Sequence, residues 1–440
     1  IDHAAGNGIS LIIALDCGIK SNDKVEYATT LGIDFIICDH HMPGNELPAA
    51  SAVLDPKRND CTYPFKELSG CGIGIKLIQA FAIKNNLPEH SYTRYLDLGM
   101  VSIAADMVSM TGENRVIAWH GLKKLNEDPC PGLKALMEIS GRTNAYTITD
   151  VVFQIAPRIN AAGRMGHATQ AVKMLLCDAM DNTLEQSTQI NSQNTDRKVF
   201  DQRITIEALA QIESDIDLIN KKTTVVYKDS WNKGVIGIVA SRLTEKYYRP
   251  TIVLTESNGL LTGSARSVQG FDLYEALLQC TDHLEQFGGH KFAAGLTLRF
   301  EDLEPFKTRF EEVVAASITE ELLIPEIKLD VTIGLSEIDA KFCRVLGQMA
   351  PFGPDNMLPV FQSLSVSLIG QPALVGTDHL KFSIAHPGSP VFECIAFGMA
   401  EHAALLKQET TFSVCYTIEE NNWRDKRTVQ LNIKGIKLAT

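Results

Sequence analysis

At 440 residues, with 45% hydrophobic and 21% charged side chains, the chain has the composition of a soluble globular protein of roughly two to four domains. Its net charge of −12 counts, taken alone, against nucleic acid as a partner, because phosphate binding leaves a basic footprint; net charge is silent on a local basic channel. Ten scattered cysteines without C-x-x-C spacing argue against a disulfide framework and against a structural zinc site.

The first residues lack the basic, apolar and small-residue regions of a signal peptide, and no run of about 18 apolar residues occurs, so the expectation is a cytoplasmic protein without a membrane partner. Ile1 is not an initiator residue, which leads to the expectation of a fragment whose natural start lies upstream. ISLIIALDCG reads as strand then turn, NDKVEYATTLG as a helix with Asn22 as N-cap, and IDFIICDHH as the next strand. This is βαβ grammar, predicting a parallel sheet covered on both faces. AASAVLDP adds a short strand, while GCGIGIKLIQAFAIKNN and YLDLGMVSIAADMV read as helices on that sheet, giving an α/β domain over residues 1–125.

Residues 126–182 read as a helical extension, and the polar stretch 183–221 as a helix connecting two domains across a cleft. The βα pattern resumes at TTVVYKD and continues through GVIGIVASRLTEKYY, PTIVLTE, LLTGSARS and AAGLTLRF, predicting a second α/β domain over 222–320. From 321 to 440 short alternating strands split by Gly, Pro and Asn turns predict a small barrel, an OB-fold first among the candidates.

Asp16 ends the first strand, Asp39, His40 and His41 end the second, and Asp106 lies in SIAADMV. Ligands of open α/β sheets gather outside the carboxyl ends of strands, so Asp16 and the DHH triplet converge on one crevice. Carboxylates with imidazole suit Mn²⁺, and Mg²⁺ less comfortably; the bland reading, satisfied polar groups at strand ends, is weak for the set. In PRINAAGRMGHA, residues 157–168, Arg158, Asn160 and Arg164 surround small residues, and a guanidinium fork suits phosphate oxygens. GSARS, with Ser264 and Arg266, and FGGHKFAAG, with Gly288, Gly289 and His290, combine glycines with polar groups as anion-cradling loops do. The competing readings are a packed helix with solvated arginines and simple turns. In the last domain Phe352, Phe361, Phe382 and Trp423 are candidate stacking rings, core being the common fate of the first three and the basic cluster around Trp423 favouring its exposure.

With these sites in order, the sequence resembles the RecJ exonucleases of the DHH phosphoesterase superfamily. LDCGI, DHH, LSGCGIGIKL, IAADM with TGENRV, PRINAAGRMGHA, GVIGIVASRL, GSARS, GGHKFAAG and APFGPDNMLPVF carry the resemblance through almost the whole chain. It implies a two-ion Mn²⁺ or Mg²⁺ site with Asp16 bridging the ions, His40 and Asp106 on one of them, Asp39 orienting the histidine pair and His41 facing the scissile phosphate. Arg158 and Arg164, and Ser264, Arg266 and His290, would hold the nucleic-acid backbone. The implied reaction is stepwise 5′ to 3′ hydrolysis of single-stranded DNA to mononucleotides, in repair and recombination. A monomer is expected, with single-strand-binding protein and a helicase as candidate partners. The chain departs from the family in lacking the first motif, a D-x-D-G loop expected before residue 1, so at most one tightly held ion and no nuclease activity are expected of these 440 residues alone. Asn232 stands where the family usually has His, and Ser109 where it usually has Pro. Two alternatives are a non-catalytic single-strand-binding relative and a phosphodiesterase of short oligonucleotides or cyclic dinucleotides.

Overall fold

The computed structural model describes residues 1–177, 180–406, 411–423 and 426–438, with the side chains of 180–182, 421–423 and 426–427 left aside. The chain forms two compact units. One comprises Ile1–Pro129, Thr143–Phe153 and Ile327–Thr440; the other comprises Cys130–Arg142 and Gln154–Glu326. Among the described residues no helix is long and apolar enough to cross a membrane.

In the first unit β1 (Leu11–Leu15), β2 (Asp34–Cys38) and β3 (Ala52–Leu54) form a parallel sheet in that order, with Leu15 opposite Cys38 and Cys38 opposite Leu54. The Asn22–Thr30 helix makes the β1–β2 crossover, and its N-cap is Ser21 rather than Asn22. The sheet is less covered than its apolar sequence predicts. On β1, an edge strand, Leu11, Ile13 and Leu15 stay 44%, 48% and 50% exposed, whereas Ile37 and Cys38 of the central strand are fully buried. The helices Gly70–Lys84 and Leu96–Asp106 follow as expected, the first capped by Ser69, whose hydroxyl accepts the Gly72 amide at 3.2 Å.

The same unit holds a barrel. Its strands are β9 (Val331–Thr332), β10 (Phe361–Val375), β11 (His379–Ala385), β12 (Phe392–Ala396), β13 (Phe412–Trp423) and β14 (Lys426–Leu438). The order β11-β12-β14-β13-β10 is closed by a β10–β11 pairing, with β12 and β14 parallel and β9 added at β10. This closed five-strand ring is the OB topology expected from the turn spacing. Phe361, Phe382, Phe412 and Tyr416 fill it, and Phe352 packs against that core. Arg115, on the Gly112–Glu127 helix, donates to the carbonyls of Gln348, Met349 and Ala350, and the Met110 amide donates to Pro354, which fastens the barrel to the parallel-sheet part.

In the second unit the sheet runs β4-β5-β6-β8-β7, from β4 (Thr224–Tyr227), β5 (Thr251–Ser257), β6 (Leu260–Arg266), β7 (Gln286–His290) and β8 (Ala293–Leu298). Only β4 and β5 are parallel. Asn258 and Gly259, both with positive φ, close the β5–β6 hairpin as an Asn-Gly pair does. The long polar helix spans Met180–Ser214 and is followed by a short helix, Ile216–Asn220.

Candidate functional site

The first site lies at the carboxyl ends of β1 and β2. Asp16 leaves β1 in the left-handed region, φ 66, its amide held by the Cys38 carbonyl at 2.8 Å. Gly70 makes room for it: a Cβ there would lie 2.3 Å from Asp16 Oδ1. Nε2 of His40 stands 3.1 Å from Asp16 Oδ1 and 3.3 Å from Asp106 Oδ2, the latter at the end of the Leu96–Asp106 helix. The hydrogen bond to Asp16 raises the His40 pKa above the ordinary imidazole value; burial opposes the rise, and the charge of Asp106 adds to it. The local field thus favours positive charge at this point.

Asp39 is buried and fully engaged. Its Oδ2 accepts the Ile19 amide at 3.0 Å, and its Oδ1 accepts the amides of His40 and His41 at 2.8 and 3.2 Å and Nδ1 of His41 at 2.7 Å. Burial pushes its carboxyl up, but these donors more than reverse that and hold it below the usual carboxylate range. Asp39 therefore orients the ring of His41 and the backbone of both histidines, while the ring of His40 makes no bond to it. The two rings meet edge to face at 4.6 Å, and His41 is half exposed.

One ligand atom from each of Asp16, His40 and His41 falls within 4.8 Å of the others, and Asp106 approaches the same imidazole nitrogen. Hard carboxylate oxygens with borderline imidazole, in a field that favours positive charge, fit Mn²⁺ or Mg²⁺.

The second site lies in the second unit. The helix Ala156–Met165 carries the RINAAGR run. Arg158 is part-buried and tied to Asn191 Oδ1 at 2.9 Å and to the Gln154 carbonyl, while Asn160 and Arg164 are exposed. Arg164 donates to the Gly234 carbonyl at 3.2 Å, in a turn whose Gly234 amide is held by Asn232 at 2.8 Å. Ser264 and Arg266 share one face of β6. Arg266 donates to Ser264 Oγ at 3.0 Å and to Ser241 Oγ at 3.2 Å. Burial lowers its pKa, and the positive charge of Arg164 lowers it further. Arg197, on the long helix, is lowered by burial as well; Asp201 opposes, and Arg164 and Arg242 add to the fall. Arg164 thus acts on both Arg197 and Arg266, Arg242 acts on Arg197, and the buried carboxylate of Asp201 that opposes them at Arg197 is already held by Arg242 at 2.7 Å. Such a surplus attracts an anion.

Neither glycine run is a cradling loop. GSARS is strand β6 and GGH is strand β7, because both register against β8: Arg266 and His290 both pair with Ala293, and Ser264 and Gly288 both with Gly295. His290 consequently lies two strand spacings, roughly 10 Å, from Arg266. Gly289 is needed for the hairpin, since a Cβ would meet the Ala293 carbonyl at 2.4 Å, whereas Gly288 faces open space. In the barrel Phe361 and Phe382 are 4% and 3% exposed and belong to the core with Phe352; Phe397, 57% exposed and edge-on to His379, escaped the sequence reading. Trp423 ends β13, and its side chain lies outside the described residues.

Three family models match in chain order: the DHH family N-terminal domain over residues 2–103, the DHHA1 domain over 220–316 and the RecJ OB domain over 329–435. The single-stranded-DNA-specific exonuclease RecJ of Bacillus subtilis is 37% identical over 437 residues, 98% of this chain and 54% of that protein. The same-named protein of Salmonella typhimurium is 33% identical over 458 residues, 99% of this chain and 78% of that protein. RecJ from Thermus thermophilus in complex with Mn²⁺ superposes with a TM-score of 0.85 at 26% identity, covering 99% of this chain and 63% of that one. The chain spans about half the length of the Bacillus relative.

Proposed function

Since the chain belongs to the RecJ family of DHH phosphoesterases, we propose that its site serves metal-dependent hydrolysis of single-stranded DNA, one nucleotide at a time from the 5′ end. The observation that carries this is the meeting of Asp16, Asp106 and His40 around one imidazole nitrogen, with His41 beside it. Asp16, His40 and Asp106 would hold Mn²⁺ or Mg²⁺, and such an ion supplies charge neutralisation at a scissile phosphate. Asp39, anchored by three backbone amides, holds His41 through Nδ1, and Nε2 of His41 would then donate to a phosphate oxygen or a leaving oxygen. In the second unit Arg164, Arg197, Arg242 and Arg266 with Ser264 would hold backbone phosphates, with Asn160 and His290 exposed for contact with the strand. The barrel would bind the strand through local charge and stacking, which overall acidity does not oppose. A monomer in the cytoplasm working with single-strand-binding protein and a helicase completes the proposal.

The test measures Mn²⁺ binding and fluorescence anisotropy of labelled oligonucleotides. The expected result is Mn²⁺ binding lost in His40→Ala and a clear preference for single strands over duplex. Equal affinity for both strand forms, with Mn²⁺ binding untouched in His40→Ala, overturns the proposal. Release of mononucleotides from single strands, measured alongside, decides the sequence-based expectation of an inactive half-site.

A further inference from the structure

Nε2 of His40 faces Asp16 and Asp106, so an imidazole that binds a cation there is neutral and carries its proton on Nδ1. That nitrogen is buried and has no hydrogen-bond partner among the described residues. Ligating histidines ordinarily donate this second N–H to a carboxylate, a carbonyl or water, which fixes the ring and its tautomer. Asp39 is not the acceptor, because the Ile19 amide, the amides of both histidines and the His41 ring already occupy its two oxygens.

Asp55 has the complementary defect. It follows β3, is 3% exposed, and its Oδ1 accepts the Lys57 amide at 2.8 Å, while its Oδ2 is buried without a partner among the described residues. β2 and β3 run parallel with Cys38 opposite Leu54, and the Asp39 amide donates to the Leu54 carbonyl at 3.0 Å. Asp55 comes directly after Leu54 and His40 directly after Asp39, so both leave the sheet at the same end. Burial pushes the Asp55 carboxyl up and the Lys57 amide pulls it back; Asp39 adds to the rise, and charge on Lys57 and His40 opposes it. A buried donor lacking an acceptor and a buried acceptor lacking a donor thus sit within each other's electrostatic reach.

We propose that Asp55 is the positioning residue of His40, its Oδ2 accepting the Nδ1 proton through one bridging water and so holding Nε2 toward the cation. The proposal rests on the reading of Asp16, His40 and Asp106 as cation ligands. The bland alternative, that Asp55 only shapes the turn at Lys57, needs Oδ1 alone.

The test compares the 440-residue wild type with Asp55→Ala and Asp55→Asn. Mn²⁺ affinity is read by electron paramagnetic resonance titration, and the His40 tautomer by ¹⁵N NMR of Mg²⁺-loaded protein. Asp55→Ala is expected to lose about ten- to a hundredfold in Mn²⁺ affinity; Asp55→Asn, whose one carbonyl oxygen can keep the Lys57 amide while its NH₂ meets the Nδ1 proton as a second donor, is expected to lose a similar factor. In the wild type His40 is expected as the Nδ1–H tautomer with a slowly exchanging proton. Unchanged affinity in Asp55→Ala, wild-type affinity in Asp55→Asn, or an Nε2–H tautomer in the wild type overturns the proposal. Should Asp55→Ala fail to fold, Asp55→Asn, which keeps the Lys57 contact, carries the same comparison. A wild type that binds no Mn²⁺ removes the ligand reading itself, an outcome distinct from one in which only the Asp55 comparison fails.

Discussion

A methyl group added at Gly70 would lie 2.3 Å from Asp16 Oδ1, 2.5 Å from Cγ and 2.6 Å from Cβ. Ordinary contact begins near 3.4 Å, so Gly70→Ala must relieve an overlap of about 1.1 Å. The backbone of Asp16 is poorly placed to yield, because its φ of 66 is fixed by the bond from its amide to Cys38 at 2.8 Å. Either the carboxylate rotates away from His40, or the start of the Gly70–Lys84 helix shifts against its Ser69 cap. Overpacking costs about 1–3 kcal/mol, while alanine in place of a helical glycine returns up to about 1 kcal/mol. A net stability loss of about 0–3 kcal/mol is therefore expected. The effect on the ion is separate, since disturbing the group that places a ligand costs about ten- to a hundredfold in metal affinity, or about 1.4–2.8 kcal/mol. Mn²⁺ titration and urea unfolding with and without Mn²⁺ measure the two separately. Gly347→Ala, where a Cβ meets nothing within 4 Å, is the control. Gly70→Ala with Mn²⁺ affinity close to that of the wild type and unchanged stability would refute the steric reasoning.

Asp39→Asn tests the buried anchor through pH. A carboxyl held low on folding contributes stability above its unfolded value of about 3.9, and that contribution is lost as pH falls through the lower folded value. The variant should therefore show a flatter acid limb than the wild type below about pH 4 in urea unfolding; identical limbs would show that the donors around Asp39 do not set its pKa. Arg266→Ala or Arg197→Ala should weaken oligonucleotide binding and reduce the slope of log K against log salt by about 0.7 for each phosphate no longer neutralised, as read by anisotropy at several salt concentrations. An unchanged slope would place those guanidinium groups outside the phosphate path. Phe361→Ala should cost about 3–5 kcal/mol in denaturant unfolding, because the ring belongs to the barrel core; a stable variant with weakened strand binding would return Phe361 to the role of a stacking ring.

The DHH centre was readable because its signal is local and topological at once. Apolar runs ending in Asp16 and in Asp39–His41 placed those groups on neighbouring parallel strands before any contact was known. The OB barrel was readable because its strands alternate and are separated by turn residues. The register of β7 was not, since Gly288 and Gly289 argue locally for a turn and only pairing with β8 makes them a strand. Asn22 and Ser21 are both good capping residues, and a one-residue choice between them lies below what pattern can decide. The exposed apolar residues of β1 mark a further limit, because composition predicts what a strand could bury and only assembly decides what covers it.

The arginine cluster was half hidden for an electrostatic reason. Arg158 and Arg164 stand in a run dense with small residues and drew attention, yet Arg158 is tied to Asn191 and Gln154 within its own unit. Arg197 and Asp201 stand four residues apart on a long polar helix, the spacing of an ordinary solvated ion pair. In the folded unit Asp201 is instead buried and held by Arg242, and Arg197 meets the repulsion of two other guanidinium groups. Spacing along one helix reports which charges could pair. Whether they do depends on charges brought in by other elements, here the helix Ile236–Tyr247 and strand β6, so the positive surplus exists only after folding. A net charge of −12 is compatible with that surplus for the same reason: it averages over the whole chain, whereas Arg164 acts locally on both Arg197 and Arg266.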